Sequence, residues 1–392
     1  MTAFSSDQLA HQRSHFPALG HNHYFNFGGQ GPLPLPVLDE MMQTYQHLQR
    51  IGPFSNQANS WITQEVAKTR SAIATELGVD AKTITLTESV SGGCNIALWG
   101  MNWQSGDRLL MTDCEHPTVI ALSQQLGHRY GVETDICEIL PLVNGGNVVE
   151  AIAAQIGPQT RMVVLSHVLW NTGEVLPLTA IAQACRAQNP ETLIVVDAAQ
   201  SVGLLPLSLG EYDVDAYAFT GHKWWCGPDG LGGLYIPSNS LEKFEPTYIG
   251  WRGIREDPSG YPIGWVPDSR RFEVATSAFA LMIGLQTALQ LHSSFATAAQ
   301  RYQQIVNLSQ QLWQGLNQVP RIRCLKIDPP ESGLVSFTIE GANHFQLVNQ
   351  LEEMGFLLRL IKNPNCIRAC CHYLTSPTEI EQLLHQLTAL LQ

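Results

Sequence analysis

Short apolar runs alternate with helical or glycine-punctuated stretches from about residue 83 to residue 236. Several of these runs are apolar on both faces, which is typical of strands in a mostly parallel sheet that helices cover on each side. The runs read TITLT, RLLMT, TDICEIL, RMVVLS, TLIVVD, VDAYAFT and LGGLYI. This pattern predicts an α/β fold, in which ligands bind beyond the carboxyl ends of the strands.

The pattern changes after a stretch rich in Pro, Gly and Trp at residues 248–267. A long helical region is predicted from about residue 278 to residue 316, followed by four strand-like runs that read RIRCLKI, GLVSFTIE, FLLRLI and CIRACC. A final helix has a clear start signal, with Ser376 as N-cap, Pro377 at the first position and Glu379 closing a capping box. The C-terminal part is therefore predicted to be a small α+β unit.

The length of 392 residues exceeds the size at which one hydrophobic core usually keeps growing. We predict a large domain at residues 26–282 and a small domain made of residues 1–25 and 283–392. The net charge is -12, and no cluster of Lys and Arg offsets it locally. Such a chain has no basic face for a nucleic acid.

The apolar runs have the length of strands and are far shorter than the roughly 20 residues that span a bilayer. The N-terminus, MTAFSSDQLAHQRSHF, lacks the charged start and apolar core of a secretory signal. The nine cysteines form no C-x-x-C pair and no Cys/His group at zinc-ligand spacing. We therefore expect a cytoplasmic protein without a membrane segment, a nucleic-acid partner or a metal site.

Polar residues follow four of the predicted strands at the point where each strand ends. Lys223 comes after VDAYAFT, Asp197 ends TLIVVD, His116 follows RLLMT in the triplet EHP, and Asn171 follows RMVVLS. A lysine could form an imine, a carboxylate could pair with a protonated pyridine nitrogen, and an imidazole could stack on a planar ring. The glycine-containing turn at residues 87–95, ahead of a helix, would favour a phosphate.

Each of these residues also has an ordinary structural interpretation. Lys223 alone is more readily a solvated surface lysine, and Asp197 alone is as readily the cap of the next helix. A single histidine such as His116 is weak support for any function, and a glycine-containing turn is non-specific. Only the joint occurrence of these features favours a cofactor site.

Taken in chain order, the segments EHP, VDAAQSVG, FTGHKWWCGPDGLGGLYI and RFEVATS resemble the class V aminotransferase family of fold-type I pyridoxal-phosphate (PLP) enzymes, which includes cysteine desulfurases and selenocysteine lyases. The resemblance covers nearly the whole chain. It implies a mainly parallel seven-stranded sheet with helices on both faces, a smaller α+β C-terminal domain, and PLP as the cofactor. It also implies a homodimer with shared active sites.

The resemblance implies a role for each candidate residue. Lys223 holds PLP as a Schiff base and is the catalytic residue, Asp197 pairs with the pyridine nitrogen, and His116 stacks on the ring. Asn171 and Gln200 approach the ring oxygen. The phosphate cup is formed by Ser91, Gly92, Thr220 and His222. Thr276 completes the phosphate site of the neighbouring subunit.

An amino-acid substrate carries a carboxylate, which an arginine fork binds in a bidentate way. Arg368, on the predicted strand CIRACC, matches the substrate-carboxylate arginine of the family. Arg359 is a second candidate and is equally well a solvent-exposed strand arginine. Asn171 is a further candidate for substrate binding, and Trp251 either lines the substrate pocket or packs in the core.

Desulfurases of the family carry a mobile loop with a nucleophilic cysteine between the counterparts of Arg359 and Arg368. Here that segment reads only LIKNPNCI, so a role of Cys366 as persulfide carrier is the weaker interpretation. The whole sequence most closely resembles the cystine C-S lyases of the family. The hypothesis is therefore β-elimination from L-cystine, and more slowly from L-cysteine, with Lys223 as the base at Cα. The products would be pyruvate, ammonia and cysteine persulfide or sulfide.

Three alternatives stay open. A cysteine desulfurase or selenocysteine lyase would produce alanine, and a non-catalytic sulfur-handling scaffold would only dock partner proteins. A nucleotide-binding dehydrogenase is suggested by the α/β pattern alone, and no G-x-G-x-x-G follows the first strand. For the lyase, the resemblance suggests that released persulfide supplies an acceptor protein with sulfur for iron-sulfur clusters.

Overall fold

The structure is a computed structural model that describes residues 4–391. Its helices are, in chain order, α1 (Ser6–Arg13), α2 (Pro17–His21), α3 (Leu35–Ile51), α4 (Asn56–Leu77), α5 (Val90–Trp99), α6 (Pro117–Tyr130), α7 (Val148–Ala153), α8 (Leu178–Gln188), α9 (Phe279–Phe295), α10 (Ala298–Leu316), α11 (His344–Glu353) and α12 (Pro377–Leu390). Its strands are β1 (His23–Tyr24), β2 (Ile84–Thr87), β3 (Arg108–Thr112), β4 (Glu133–Cys137), β5 (Thr160–Ser166), β6 (Leu193–Asp197), β7 (Ala216–Thr220), β8 (Gly232–Tyr235), β9 (Ile254–Glu256), β10 (Pro262–Trp265), β11 (Ile322–Cys324), β12 (Leu334–Ile339), β13 (Phe356–Leu357), β14 (Arg359–Ile361) and β15 (Cys366–Cys370).

Seven of these strands form one sheet in the order β2-β8-β7-β6-β5-β3-β4. Strand β8 runs antiparallel to both of its neighbours, and the other pairs are parallel. The seven runs identified in the sequence correspond to these seven strands, so the predicted mainly parallel sheet is confirmed. Because β5, β6 and β7 are adjacent and run in the same direction, their carboxyl ends meet at one edge.

Helices cover both faces of this sheet because the strands are apolar on both sides. Along β5, Val163 and Leu165 pack with helices α4 and α8, whereas Met162 and Val164 pack with helices α5 and α6. All four side chains are fully buried. Burial on both faces explains why these strands read as continuous apolar runs instead of alternating with polar residues.

A second, smaller sheet contains four antiparallel strands in the order β11-β12-β15-β14. Its apolar face packs against α10, α11 and α12 in a core of its own. The N-terminal segment lies beside this unit, since β1 pairs with β13 and Asn26 forms a bridge to Cys370 of β15. The predicted α+β unit is therefore present, whereas the domain boundaries at residues 26 and 282 stay a prediction.

Two elements differ from the sequence prediction. The helical region at residues 278–316 is two helices, because the chain leaves the helix at Ala296 and Thr297 then caps α10 in a capping box with Gln300. The run FLLRLI is divided between β13, which pairs with β1, and β14, which pairs with β15. The sequence analysis also made no prediction for α3 and α4, which pack against α9.

Among residues 4–391, no helix is both long and apolar enough to cross a bilayer. The same residues contain no group of three or more His, Cys, Asp or Glu side chains arranged to hold a metal ion. The nine cysteines are free thiols, and all except Cys324 are buried.

The cap of α12 predicts a measurable contribution to stability. Ser376 Oγ accepts a hydrogen bond from Glu379 N at 3.2 Å, and Glu379 Oε2 accepts one from Ser376 N at 2.8 Å. Because Ser376→Ala removes the first of these bonds, we expect the free energy of unfolding to fall by about 1 kcal/mol in urea denaturation. Ser294→Ala, at an exposed position of α9, is the matched control and should change it by less than about 0.5 kcal/mol. Equal losses in the two variants would contradict the role of the cap.

Candidate active site

A cavity of about 480 Å³ lies at the edge of the large sheet where β5 and β6 end. Four parts of the chain form its walls: the N-terminal segment 26–30, the start of α5, the segments that follow the strands, and strands β14 and β15. The cavity therefore lies where the large and the small sheet meet. Edges of this kind are where α/β sheets bind ligands.

Lys223 follows the end of β7 and faces this cavity. Burial disfavours the charged ammonium and lowers the pKa of Lys223 to about 8, although the Asp197 carboxylate acts in the opposite direction. The Arg368 guanidinium lowers this pKa further. Within the described chain, Lys223 and Asp197 line the same cavity without forming an ion pair with each other. The amine is therefore easily deprotonated and is available to react.

Asp197 ends β6 and is 6% exposed. Its Oδ1 accepts a hydrogen bond from Ala199 N at 2.9 Å. Ser166, which lies beside it in register at the end of β5, donates its hydroxyl to the buried Glu115 carboxylate at 2.8 Å. Burial raises the pKa of Glu115 to about 7, against the effect of its hydrogen bonds. The sequence analysis included Glu115 only in the EHP triplet and missed its contact with this strand end.

His116 is the N-cap of α6, where its Nδ1 accepts a hydrogen bond from Thr118 N at 3.3 Å. Nδ1 therefore carries no proton, and burial lowers the pKa of His116. The ring meets that of Trp170 edge on, with the two centroids 5.8 Å apart. A neutral imidazole on the cavity wall is suited to stacking on a planar ring.

The start of α5 forms the part of the cavity best suited to an anion. The turn predicted at residues 87–95 is in fact the first turn of this helix, which begins at Val90 with Ser89 as its N-cap. Ser89 and Ser91 line the cavity, whereas Gly92 lines a neighbouring cavity and donates its N–H to Ser89 Oγ at 3.1 Å. The other N–H groups of a first helical turn favour a phosphate.

Thr220 and His222, the two phosphate candidates beside Lys223, are hydrogen-bonded to each other. The Thr220 hydroxyl forms a hydrogen bond with His222 Nδ1 at 2.7 Å. His222 lines the cavity, and burial lowers its pKa, whereas Thr220 is buried and does not line it. Thr220 therefore lies behind His222 and does not contact the cavity itself.

The two amides expected near the ring oxygen differ in their surroundings. Gln200 lines the cavity, but its Nε2 donates to Gly28 O at 2.8 Å and its Oε1 accepts from Trp224 Nε1 at 3.0 Å. Asn171 is 2% exposed and does not line the cavity, and its Oδ1 has no hydrogen-bond partner among residues 4–391. Only a group that donates a hydrogen bond would satisfy this buried oxygen.

Arg359 and Arg368 face each other across β14 and β15 and both line the cavity. Arg368 is buried at 3% exposure, donates from Nη1 to Trp170 O at 2.7 Å, and has no partner for its Nε. Arg359 is exposed to the cavity mouth. Two like charges directly opposite each other are unfavourable, so this wall of the cavity favours an anion.

Cys366 is on the same strand as Arg368 but does not line the cavity. The residue is fully buried, and burial raises the pKa of its thiol to about 12. Since the thiolate is the nucleophile, a buried and protonated thiol is poorly suited to accept sulfur. The burial of Cys366 thus argues against a role as persulfide carrier, which was the weaker interpretation of the sequence.

Two predicted residues lie elsewhere in the chain. Thr276 and Trp251 line a separate cavity of about 710 Å³ between α4 and the segment at residues 251–279. Trp251 is 56% exposed, so its alternative interpretation as a core residue is wrong. Neither residue joins Lys223 within one chain, and their predicted roles at an active site stay predictions.

The sequence analysis missed the N-terminal segment of the cavity. The cavity is also lined by Asn26, Gly28, Gly29 and Gln30. These residues were missed because the first predicted strand begins only at residue 83. A Cβ atom at Gly28 would lie 2.9 Å from the side chains of both Cys370 and Gln200. The close approach requires glycine at this position, and the pair of glycines in YFNFGGQG is the signal that could have found it.

The residues of the cavity fit PLP. The easily deprotonated Lys223 amine suits an aldehyde, and the buried Asp197 carboxylate forms no salt bridge with a cation among residues 4–391. The start of α5 suits a phosphate. A cavity of about 480 Å³ is within the usual size for a small cofactor and its substrate.

Comparison with known proteins also points to a PLP-dependent enzyme. The profile of the family described as Aminotransferase class-V matches residues 23–375. The structure is similar to that of the cystine C-S lyase C-DES in complex with its reaction product, cysteine persulfide, with 48% sequence identity, a TM-score of 0.93, and coverage of 95% of this chain and 99% of that one. It is also similar to a lysine-to-alanine mutant of C-DES with glycine covalently linked to its PLP cofactor, at 48% identity, a TM-score of 0.94, and coverage of 96% and 98%.

More distant relatives have different activities. A probable cysteine desulfurase from Pseudomonas putida is 28% identical over 88% of this chain and 86% of its own length. An isopenicillin N epimerase from Streptomyces clavuligerus is 28% identical, and the match spans 63% of each protein. The similarity to these relatives therefore does not determine the reaction.

The pKa of Lys223 predicts the pH dependence of its reactivity. Only the uncharged amine attacks an aldehyde, so in the ligand-free protein reductive methylation of Lys223 should be half-maximal near pH 8, below the ordinary lysine value of 10.5. Because the Asp197 carboxylate favours the ammonium, Asp197→Asn should move the midpoint to lower pH. Mass spectrometry of the Lys223 peptide measures both effects, and a midpoint above pH 10 would contradict the burial of the amine.

Proposed function

Because this chain belongs to the class V aminotransferase family, we propose that it is a PLP-dependent carbon-sulfur lyase that cleaves L-cystine by β-elimination, and L-cysteine more slowly. The observation that carries the proposal is the composition of the cavity wall, which offers two arginines and no cysteine. The likeness to C-DES, whose product is cysteine persulfide, supports the same substrate.

Lys223 would hold the cofactor, Asp197 would pair with its pyridine nitrogen, and His116 would stack on its ring. Ser89, Ser91 and the start of α5 would bind the phosphate, with His222 beside them. Bound PLP supplies an electron sink that acidifies the Cα hydrogen of an amino acid.

Lys223 is suited to remove the Cα proton, since its pKa of about 8 leaves a much larger uncharged fraction of the amine near neutral pH than an ordinary lysine has. The bond between Cβ and sulfur then breaks, and both electrons leave with the sulfur. With cystine and one water, the products are pyruvate, ammonia and cysteine persulfide. A persulfide anion is a weaker base than a thiolate, so cystine should react faster than cysteine.

Arg368 and Arg359 match the two carboxylates of cystine. The buried Arg368 would bind the carboxylate of the half that reacts, and the exposed Arg359 would bind the carboxylate of the half that leaves. L-cysteine has only one carboxylate. The wall therefore favours the larger substrate, which has two carboxylates.

A cysteine desulfurase or selenocysteine lyase is the second candidate, and the desulfurase among the relatives supports it. This chemistry transfers sulfur or selenium and leaves alanine. A desulfurase needs a thiol that reaches the substrate, and the burial of Cys366 argues against that.

Shared active sites in a homodimer are part of the proposal. Thr276 and the exposed Trp251 lie away from the cavity of their own chain, as residues that serve a neighbouring subunit would. Transfer of the persulfide sulfur to an acceptor protein for iron-sulfur clusters is proposed as the use of the product. A cytoplasmic location stays a prediction.

Product analysis tests the proposed reaction. Incubation with cystine, cysteine and selenocysteine should give pyruvate, with persulfide from cystine, and no alanine. Lys223→Ala should be inert with all three, because it removes the base. Cys366→Ala should keep the activity of the parent protein. Alanine formation that Cys366→Ala abolishes would overturn the proposal in favour of a desulfurase.

Substitution of the arginines tests the assignment of the substrate. Arg368→Gln should raise KM for cystine and cysteine by about 10-fold or more, as expected for loss of a charged hydrogen bond. Arg359→Gln should raise KM for cystine much more than for cysteine. Arg323→Gln, at an exposed position of β11 in the same small sheet, is the matched control and should leave both unchanged. Equal effects of Arg359→Gln on both substrates would contradict its role at the second carboxylate.

A further inference from the structure

Trp170 forms part of the cavity wall and has no assigned role so far. It follows β5 in the segment that leads towards α8, and its side chain lines the cavity with that of His116. The two rings meet at an interplanar angle of 71°. The position of the indole is therefore set beside the residue expected to stack on the cofactor.

The indole Nε1 of Trp170 is buried and has no hydrogen-bond partner among residues 4–391. A buried N–H without an acceptor costs about 1–3 kcal/mol, so such groups are rare. Trp103 and Trp313 donate from Nε1 to Leu98 O and Lys326 O, whereas Trp225, which does not line the cavity, shares with Trp170 an Nε1 without a partner among the described residues. The Trp170 side chain, unlike those of Trp103 and Trp313, lines a cavity that a ligand can fill.

Arg368 is in direct contact with Trp170. Its Nη1 donates to the backbone carbonyl of Trp170 at 2.7 Å, and its Nε has no partner. Both residues line the cavity, and within the described part of the chain neither Trp170 Nε1 nor Arg368 Nε has a hydrogen-bond acceptor. A carboxylate has two oxygens that only accept, so it can satisfy an indole N–H and a guanidinium at the same time.

We infer that Trp170 is a specificity-determining residue, whose indole N–H donates a hydrogen bond to the same substrate carboxylate that Arg368 binds. The inference rests on the proposed function only in taking an amino acid as the substrate. Its consequence is selectivity: a buried donor rejects an amine that lacks the carboxylate, because the N–H then stays unpaired.

Binding of small amines to the holoenzyme tests this assignment without any reaction. Glycine carries the carboxylate, and methylamine is the same amine without it. Titration of each amine, followed by the visible absorption of the bound cofactor, gives its dissociation constant. Trp170→Phe keeps an aromatic ring but removes the N–H, so we expect glycine to bind about 10-fold more weakly and methylamine to bind as before.

Trp225→Phe is the matched control. Its indole Nε1 is also buried and unpartnered, but the residue does not line the cavity, so both amines should bind as they do to the parent protein. Trp170→His keeps a ring N–H and should recover part of the glycine affinity. If Trp170→Phe does not yield holoenzyme, the glycine affinity of Trp170→His tests the role of the N–H instead.

Unchanged glycine affinity in Trp170→Phe would overturn the inference. Equal weakening of glycine and methylamine would also overturn it, because the effect would then come from packing of the ring. A Trp170→His variant that binds glycine as poorly as Trp170→Phe would contradict a role for the N–H. If the parent protein binds glycine but releases no pyruvate from cystine, the lyase proposal fails while this inference stands.

Discussion

The site depends on the parallel pairing of β5, β6 and β7. Parallel strands end at the same edge of a sheet, so the residues that follow them meet in space although the chain makes a long connection between one strand and the next. Asp197 and Lys223 reach the cavity in this way. The same sheet is covered by helices on both faces, which leaves its edge poorly hydrated. The lowered pKa of Lys223 is a direct result of this burial.

The small sheet supplies the two arginines of the cavity. The register of β14 and β15 places Arg359 opposite Arg368, and the second of these is buried against Trp170 O. Positive charge on this wall would be costly without an anion, and the carboxylate of the proposed substrate would offset that cost. The N-terminal segment with Gly28 closes the space between the sheets, since only glycine allows the side chains of Cys370 and Gln200 to come so close.

Most of the large sheet and a part of the site could be predicted because both are encoded locally. Each of the seven strands is a short apolar run, and Lys223, Asp197 and His116 follow their strands directly. The division of residues 278–316 into two helices was missed because apolar periodicity continues across Ala296, and only the capping box at Thr297 marks the break. Glu115 and Trp170 could not be assigned, since each has partners that are distant in sequence.

The sequence by itself determined the type of fold, the strand ends and the residue types available for chemistry at them. The tertiary structure decided which of these side chains share one cavity: Ser91 lines it and Gly92 does not, and Cys366 is buried away from it although Arg368, two residues later, reaches it. The physical reason is that strand formation depends on neighbours along the chain. Burial, the pKa of an amine and the pairing of a buried donor depend instead on groups that only folding brings together.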